Sequence, residues 1–199
     1  RVSGGIQDYM PLYYEHNLDG TVTFDEHWGF EYMWNPYMDL LSGKALSLYE
    51  YNIAFDIPLY LHINLGFDNT AALSFWWYAS TCRHLGLGGI KPGHKNWEGH
   101  VKAMQTYLQY KPFFAEGRFI GFSRDAHGHV LDDRKTAVLN VFNLKSDTLD
   151  VEHTLDLGLM GLPAGTTLKG EGISRDGDRW IYRANMRGLT ANVVEITWS

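Results

Sequence analysis

Residues 59–66 read LYLHINLG, and this stretch decides how the first half of the chain is interpreted. Apolar side chains at every second position alternate with His62 and Asn64, a pattern that predicts a β-strand with one apolar and one polar face. The glycine at the end of the stretch is expected to terminate the strand. The sequence therefore places two polar side chains on the face opposite the core.

Helical patterns lie on both sides of this strand. Ser42 is placed to cap a helix over 43–56, and Asp68 or Asn69 is placed to cap a second helix over 70–81. Each helix carries apolar residues three or four positions apart, which predicts that one face of it packs against a sheet.

A second strand and a longer helix follow. Residues 83–87 form a strand candidate, and Asn96 is placed to cap a helix that we expect Pro112 to end. The apolar stripe predicted for this helix consists of Trp97, Val101, Met104 and Leu108. Two strand–helix units after a leading helix predict a parallel sheet. Because two strands cannot close a barrel, we expect the other strands to come from upstream sequence or from another chain.

The sequence changes character near 115–117, after which short apolar runs alternate with turn residues. The predicted strands are 119–122, 136–142, 151–155, 167–169, 179–183 and 191–197. This spacing is typical of an antiparallel β-sandwich. We place His127, Gly128 and His129 in a hairpin turn between two of these strands. The predicted domains are 1–115, α/β, and 116–199, all-β.

Composition excludes several classes of protein. The chain has 199 residues and a net charge of −6, with scattered basic residues, so a nucleic-acid partner is not expected. No apolar run approaches the length of a membrane span. The only cysteine, Cys82, excludes a multi-cysteine zinc site. Four histidines are considered as metal ligands: His94, His100, His127 and His129. None of them pairs with another ligand at the spacing of an H-E-x-x-H motif. We therefore predict no metal and no cofactor.

Two short segments carry a resemblance to a known family. Residues 110–119, YKPFFAEGRF, resemble the connection from the last barrel helix into the C-terminal sandwich of α-galactosidase-like glycoside hydrolases. Residues 136–144, TAVLNVFNL, resemble the strand that opens the second half of that sandwich. The resemblance implies the last βα units of a (β/α)8 barrel (a TIM barrel) followed by a small antiparallel β-sandwich. It also implies a carbohydrate substrate.

Glycoside cleavage needs two carboxyl groups on opposite faces of the sugar. The resemblance implies that the acid/base residue lies in the loop before the first helix, where the family's own aspartate motif is missing. Glu31, Asp25 and Glu26 are the positional candidates, in that order. Glu31 comes first because it lies between two aromatic residues, and partial burial would raise the pKa of its carboxyl group. A solvated loop acid remains the alternative for each. The nucleophile strand of such families is expected upstream of this chain.

The predicted substrate-binding residues lie in the aromatic loop and at the two strands: Trp28, Trp34, His62, Asn64, Asp68, Arg83 and His84. Indole rings pack against the apolar faces of sugars, and the polar side chains are suited to bind hydroxyls. A hydrogen-bonded interior histidine is the alternative for His62, and a buried ion pair is the alternative for Arg83.

The sequence therefore predicts part of a glycoside hydrolase that cleaves O-glycosidic bonds with paired carboxylates, one of them outside this chain. A non-catalytic carbohydrate-binding module and a structural protein whose partner chain completes the sheet remain as alternatives. The first would bind sugar as an isolated chain, and the second would oligomerise.

Overall fold

A computed structural model describes residues 35–55, 60–82 and 84–199. The helices are α1 (Pro36–Ser42), α2 (Leu46–Phe55), α3 (Leu73–Thr81) and α4 (Trp97–Glu116). Two parallel strands, β1 (Tyr60–Asn64) and β2 (His84–Gly88), lie between the helices. The remaining strands are β3 (Arg118–Ser123), β4 (Ala126–Leu131), β5 (Thr136–Asn143), β6 (Leu149–Leu155), β7 (Leu168–Lys169), β8 (Ile173–Asp176), β9 (Arg179–Met186) and β10 (Thr190–Trp198). None of the described helices is both long and apolar enough to span a bilayer.

The single helix predicted over 43–56 is wrong, because two helices occupy this region. Asn35, not Ser42, caps the first helix: its Oδ1 accepts a hydrogen bond of 3.1 Å from the backbone N–H of Met38. Gly43 ends α1 with a left-handed φ of 85°, and its N–H donates to the Leu40 carbonyl. Glycine adopts this conformation without a steric penalty, so it ends α1 at Ser42.

The cap predicted for α3 is misplaced, because the helix begins at Leu73 rather than at 70 and Ala72 holds the N-cap position. Asp68 and Asn69 nevertheless accept hydrogen bonds from N–H groups at the start of the helix. Asn69 Oδ1 accepts from the backbone N–H groups of Ala71 and Leu73, at 3.0 and 3.1 Å. Asp68 accepts from the next two free N–H groups of the same helix. All nine residues of α3 are buried, so this helix forms the centre of the molecule rather than one side of it.

The end predicted for the last helix is wrong, because α4 continues through Pro112 to Glu116. Proline removes one backbone donor, but the following turn buries Phe113 and Phe114, which favours continuation of the helix. The predicted apolar stripe is also displaced. The face turned to the core carries His100, Ala103 and Phe114, while Leu108 is 58% exposed.

The C-terminal region is an antiparallel two-sheet assembly, as predicted. One sheet has the strand order β3-β4-β5-β10-β7, and the other has the order β6-β9-β8. β4 and β8 were not predicted. Placing residues 127–129 in a turn was wrong: the turn is at Arg124–Asp125, and both histidines lie within β4, buried on one face of the sheet.

The molecule has three layers. On one face of the five-stranded sheet, Val138 and Phe142 share a core with α3. On the other face, Leu139 and Val141 share a second core with the three-stranded sheet. The first core therefore crosses the predicted boundary between 115 and 116. That boundary stays a prediction, and it falls at the end of α4.

His127 lies in the interface between the helices and the five-stranded sheet and has no exposed surface. Its Nε2 is 3.0 Å from the carbonyl of Arg124, and its Nδ1 is 2.8 Å from Ser80 Oγ. A carbonyl oxygen only accepts, so Nε2 carries the proton of the neutral ring. Ser80 Oγ lies against Nδ1 and also donates to the Trp77 carbonyl at 2.8 Å. Tyr49 stacks on the ring at 5.1 Å. Burial, aided by the neighbouring His129, lowers the pKa of His127 to about 3.

We expect His127 to make the protein less stable in acid. The unfolded chain takes up a proton on this imidazole near its ordinary pKa, whereas the folded chain does not until about pH 3. Stability therefore falls as the pH drops below about 6.5, by up to about 1.4 kcal/mol per pH unit for this one proton. Urea unfolding of the wild type at pH 6.5, 5.5 and 4.5 measures the slope.

The comparison variant is the double substitution His127→Phe with Ser80→Ala, which removes both partners of the buried hydrogen bond. In acid, unfolding of this double variant should take up about one proton fewer than unfolding of the wild type. Its free energy of unfolding should therefore change less steeply with pH. Ser80→Ala alone retains the imidazole and should keep the steep dependence. Equal slopes for the wild type and the double variant would refute this assignment.

Candidate functional site at the ends of the parallel strands

The carboxyl ends of β1 and β2 lie side by side. The strands pair in parallel, with Tyr60 opposite His84 and Asn64 opposite Gly88. The loops that follow, 65–72 and 89–96, therefore leave the same edge of the sheet. In α/β folds, ligands bind at this edge, because side chains from neighbouring loops meet there.

Asn64 holds these two loops together. Its Oδ1 accepts a hydrogen bond of 2.9 Å from the backbone N–H of Gly66. Gly89 approaches the same amide so closely that a Cβ atom at this position would lie 1.8 Å from Asn64 Oδ1. Gly89 also has a φ of +86°, which favours glycine. Asn64 therefore determines the spacing between the loops as well as offering a polar group at the strand ends.

Replacing Gly89 by alanine should destabilise this edge more than the same change at Gly93. Both glycines have a left-handed φ, +86° and +89°, but nothing lies within 4 Å of a Cβ atom at Gly93. Gly93→Ala thus measures backbone strain alone, and Gly89→Ala adds displacement of Asn64. We expect Gly89→Ala to cost about 1–2 kcal/mol more in urea unfolding. Equal losses would contradict the close approach.

Asp68 joins the loop after β1 to the start of α3. It is 4% exposed, and its Oδ1 accepts from the backbone N–H groups of Asn69 and Ser74, at 2.8 and 2.9 Å. Oδ2 accepts from the backbone N–H of Phe75 at 3.0 Å. These bonds satisfy helix N–H groups that would otherwise be buried without a partner.

His100 connects the same carboxylate to α4. Its Nε2 is 3.0 Å from Asp68 Oδ2, and its Nδ1 is 2.9 Å from the carbonyl of Asn96. Both ring nitrogens therefore face acceptors, which favours the doubly protonated imidazolium. Burial lowers the pKa of His100, but its hydrogen bonds to Asp68 and to the Asn96 carbonyl outweigh burial, so the pKa is raised above its ordinary value. The pair fixes α4 against the strand-end loop.

Asn96 occupies the N-cap position of α4, as predicted, but its backbone is already helical and its side chain does not cap the helix. Instead, Nδ2 donates to the carbonyls of Leu65 and Asp68, at 3.1 and 2.5 Å. The amide is used to hold the strand-end loop because that loop brings two buried carbonyls beside it.

A surface cavity of about 570 Å³ opens beside this network, lined by Gly89, Ile90, Lys91, Pro92, Gly93 and His94. Two large apolar side chains are exposed at the same strand ends, Phe67 at 43% and Leu87 at 37%. Within the described ranges, the lining offers an ammonium group, an imidazole and backbone groups, but no carboxylate. It can bind a polar ligand, and an acid that acts there would come from other residues.

Asp39 is an acidic residue that the sequence placed in an irregular loop, and the structure places it in α1. It is 7% exposed, and Lys44 Nζ lies 3.8 Å from its Oδ1. Its Oδ2 has no hydrogen-bond partner among the described residues. Burial, and next the charge of Asp39, raise the pKa of Tyr78 well above its ordinary value. A buried carboxylate oxygen without a donor is costly. The contacts of Asp39 are with α1, α3 and Lys44, so it is a buried acid of the helical layer.

The predicted site residues divide into two groups. Asn64 and Asp68 are described, and both lie at the strand-end edge as expected. For the remaining predicted residues, either the whole residue or its side chain lies outside the described part of the chain. The whole residue does so for Glu31, Asp25, Glu26, Trp28, Trp34 and Arg83, and the side chain alone does so for His62 and His84. Their roles stay predictions. His100 was missed as part of this edge, because its partner Asp68 is 32 residues away in sequence.

No cluster of three or more histidine, cysteine, aspartate or glutamate side chains in the described ranges is placed to hold a metal ion. The thiol of Cys82 is buried, and burial raises its pKa to about 12. A thiolate at this position is therefore disfavoured.

The fold resembles that of an α-amylase from Geobacillus thermoleovorans, solved in complex with acarbose. The TM-score is 0.52 at 16% sequence identity, and the likeness covers 81% of this chain and 46% of the amylase chain. No protein-family model matches the sequence, and no significant match exists among curated proteins. The chain therefore has a glycoside hydrolase-like fold and spans less than half of the enzyme it resembles.

Proposed function

We propose that this chain is part of a glycoside hydrolase that cleaves O-glycosidic bonds with paired carboxyl groups. The observation that carries the proposal is the parallel pair β1–β2, whose carboxyl ends meet at one edge beside the sandwich. The amylase-like fold supports it, because the solved structure that this chain resembles is that of a glycoside hydrolase.

In this proposal, β1 and β2 belong to a (β/α)8 barrel. Each strand has one neighbour among the described strands and so leaves one edge available for pairing. Phe67 and Leu87, exposed at the strand ends, would be covered in part by the neighbouring loops. The other strands would be supplied by an upstream segment or by a partner chain.

The proposed roles follow from position. Asn64 and Asp68 arrange the strand-end loops, and Asn64, which is only half-buried, also faces the sugar. Asp68, whose two oxygens already accept from protein donors, acts mainly as a positioning residue. The other substrate-binding candidates are His62, Arg83 and His84 at the strands and Trp28 and Trp34 in the aromatic loop.

The acid that protonates the leaving oxygen is Glu31, with Asp25 and Glu26 as the alternatives. The opposing carboxylate comes from a strand outside this chain. Two carboxyl groups separated by ~5–5.5 Å would retain the anomeric configuration, and ~6.5–9.5 Å would invert it.

Two resemblances indicate different preferred sugars. The segments 110–119 and 136–144 resemble α-galactosidase-like enzymes, whereas the solved structure with a similar fold is an α-amylase. The substrate panel should therefore contain both α-galactosides and α-glucans.

The test is a hydrolysis assay with the natural protein that contains this sequence. The panel comprises raffinose, melibiose, maltohexaose and cellohexaose, and the readout is newly formed reducing ends. We expect hydrolysis of at least one member. If no member is cleaved but the chain binds one of them, it is a non-catalytic carbohydrate-binding module and the proposal is wrong.

A further inference from the structure

A polar groove runs between the helices and the edge of the sandwich. It consists of two adjoining cavities of about 590 and 420 Å³. Both cavities are lined by Trp76, Thr106, Asn185, Ala191 and Asn192. Together they lie in the size range of small-molecule sites.

Two strand edges border the groove. On the side away from β5, β10 pairs with β7 only at Thr197 and Trp198. On the side away from β6, β9 pairs with β8 only over 179–182. Within the described ranges, no strand covers the rest of either edge. Residues 191–194 and 183–185 line the groove. The Arg183 N–H already donates to the Gly172 carbonyl at 2.8 Å, so the backbone groups that can face a ligand are those of the other edge residues.

Four neutral polar side chains of the groove each donate a hydrogen bond to the protein. The bonds are Thr106 Oγ1 to the Lys102 carbonyl (3.2 Å), Thr190 Oγ1 to the Arg187 carbonyl (2.7 Å), Asn185 Nδ2 to Asp150 Oδ1 (2.7 Å) and Asn192 Nδ2 to Tyr182 Oη (3.0 Å). A threonine hydroxyl has a single proton, so its oxygen is left as an acceptor. The side-chain oxygens of both asparagines are acceptors as well.

We propose that this groove binds a neutral oligosaccharide. The acceptor oxygens suit hydroxyl groups, which can donate. Lys102 and Arg187 also line the groove and can donate to sugar oxygens. The charge of Arg183 is paired with Glu152 and Asp176.

The strand edges supply N–H donors for the sugar oxygens. Val193 and the small exposed part of Trp76, which is 6% exposed, give the groove an apolar floor, and the C–H faces of sugar rings pack on apolar surfaces.

The groove is separate from the cavity at the strand ends. It begins at Thr70 and Ala71 in the loop after β1 and extends to Glu171 and Gly172 at the far end of the sandwich. The Asp68–His100–Asn96 network lies between its beginning and the strand-end cavity. The inference therefore holds whether or not the protein is a hydrolase.

Calorimetric titration of the chain tests the inference. The neutral probes are maltohexaose and cellohexaose, the anionic probe is hexagalacturonate, and the peptide probe is an acetylated Thr-Val hexapeptide that could add to a strand edge. Thr106→Val removes one acceptor at nearly constant shape, and Asn192→Ala removes another. The matched control, Thr148→Val, changes an exposed threonine outside the groove.

We expect a neutral hexasaccharide to bind, with about three- to tenfold weaker affinity in Thr106→Val and in Asn192→Ala. Thr148→Val should leave this affinity unchanged. The inference is overturned if neither neutral sugar binds, if hexagalacturonate or the peptide binds more tightly, or if the groove variants bind as the wild type does. Groove binding without hydrolysis would refute the proposed function and leave this inference in place.

Discussion

Asp68→Asn is expected to lower the free energy of unfolding by about 3–5 kcal/mol, the range seen when one partner of a buried ion pair is removed. Each carboxylate oxygen of Asp68 accepts from two donors. In either orientation of the asparagine amide, its NH2 group would face two N–H donors. The loss therefore includes unsatisfied donors at the start of α3 as well as the bond to His100.

Urea unfolding at pH 6 measures this loss. The matched control is Asp132→Asn, because the Asp132 side chain is 64% exposed and its pairing with Arg118, at 3.3 Å, is in contact with solvent. Exposed pairs contribute about 0–1 kcal/mol. A stability for Asp68→Asn within 1 kcal/mol of the control would show that Asp68 does not hold the strand-end loop.

The sequence predicted the strands that carry a clear apolar pattern and missed β4 and β8, which do not. β5 and β10 are apolar runs that any pattern analysis detects. β4 contains two histidines and a glycine, which resemble turn residues. It becomes a strand because the tertiary structure satisfies His127 with Ser80 and packs Gly128 beneath the ring of Phe122. No local signal carries that information.

The strand-end edge was predictable in position but not in role. Alternation in β1 placed Asn64 at the edge, and the capping pattern placed Asp68 at the start of α3. The sequence could not show that Asp68 is bound by His100, since the pair forms only when α4 packs on α3. The break between α1 and α2 was detectable, because Gly43 follows a short capped helix as helix-ending glycines commonly do.

Glu31→Gln is expected to have the largest effect on activity. A general acid contributes about 10²–10⁴-fold to the rate, and glutamine keeps the shape of the side chain without a proton to transfer. The described strand-end cavity contains no carboxylate, so an acid that acts there would come from other residues, and Glu31 lies shortly before α1 in the sequence. Glu50→Gln is the control, because Glu50 is exposed on α2.

The identity of the leaving group separates an acid from a structural residue. The leaving group of a 2,4-dinitrophenyl glycoside, 2,4-dinitrophenolate, departs without protonation. Glu31→Gln should therefore slow cleavage of this glycoside far less than cleavage of a natural oligosaccharide. A variant that is merely misfolded would lose both activities equally. This comparison holds even if the substitution changes the expression level.

The most direct measurement is therefore kcat of the natural protein and its Glu31→Gln variant on the oligosaccharide and on the dinitrophenyl glycoside of the same sugar. We predict a loss of about 100-fold or more on the oligosaccharide and a much smaller loss on the activated glycoside. Wild-type levels of oligosaccharide cleavage in the variant, or no cleavage of either substrate by the wild type, would contradict the account.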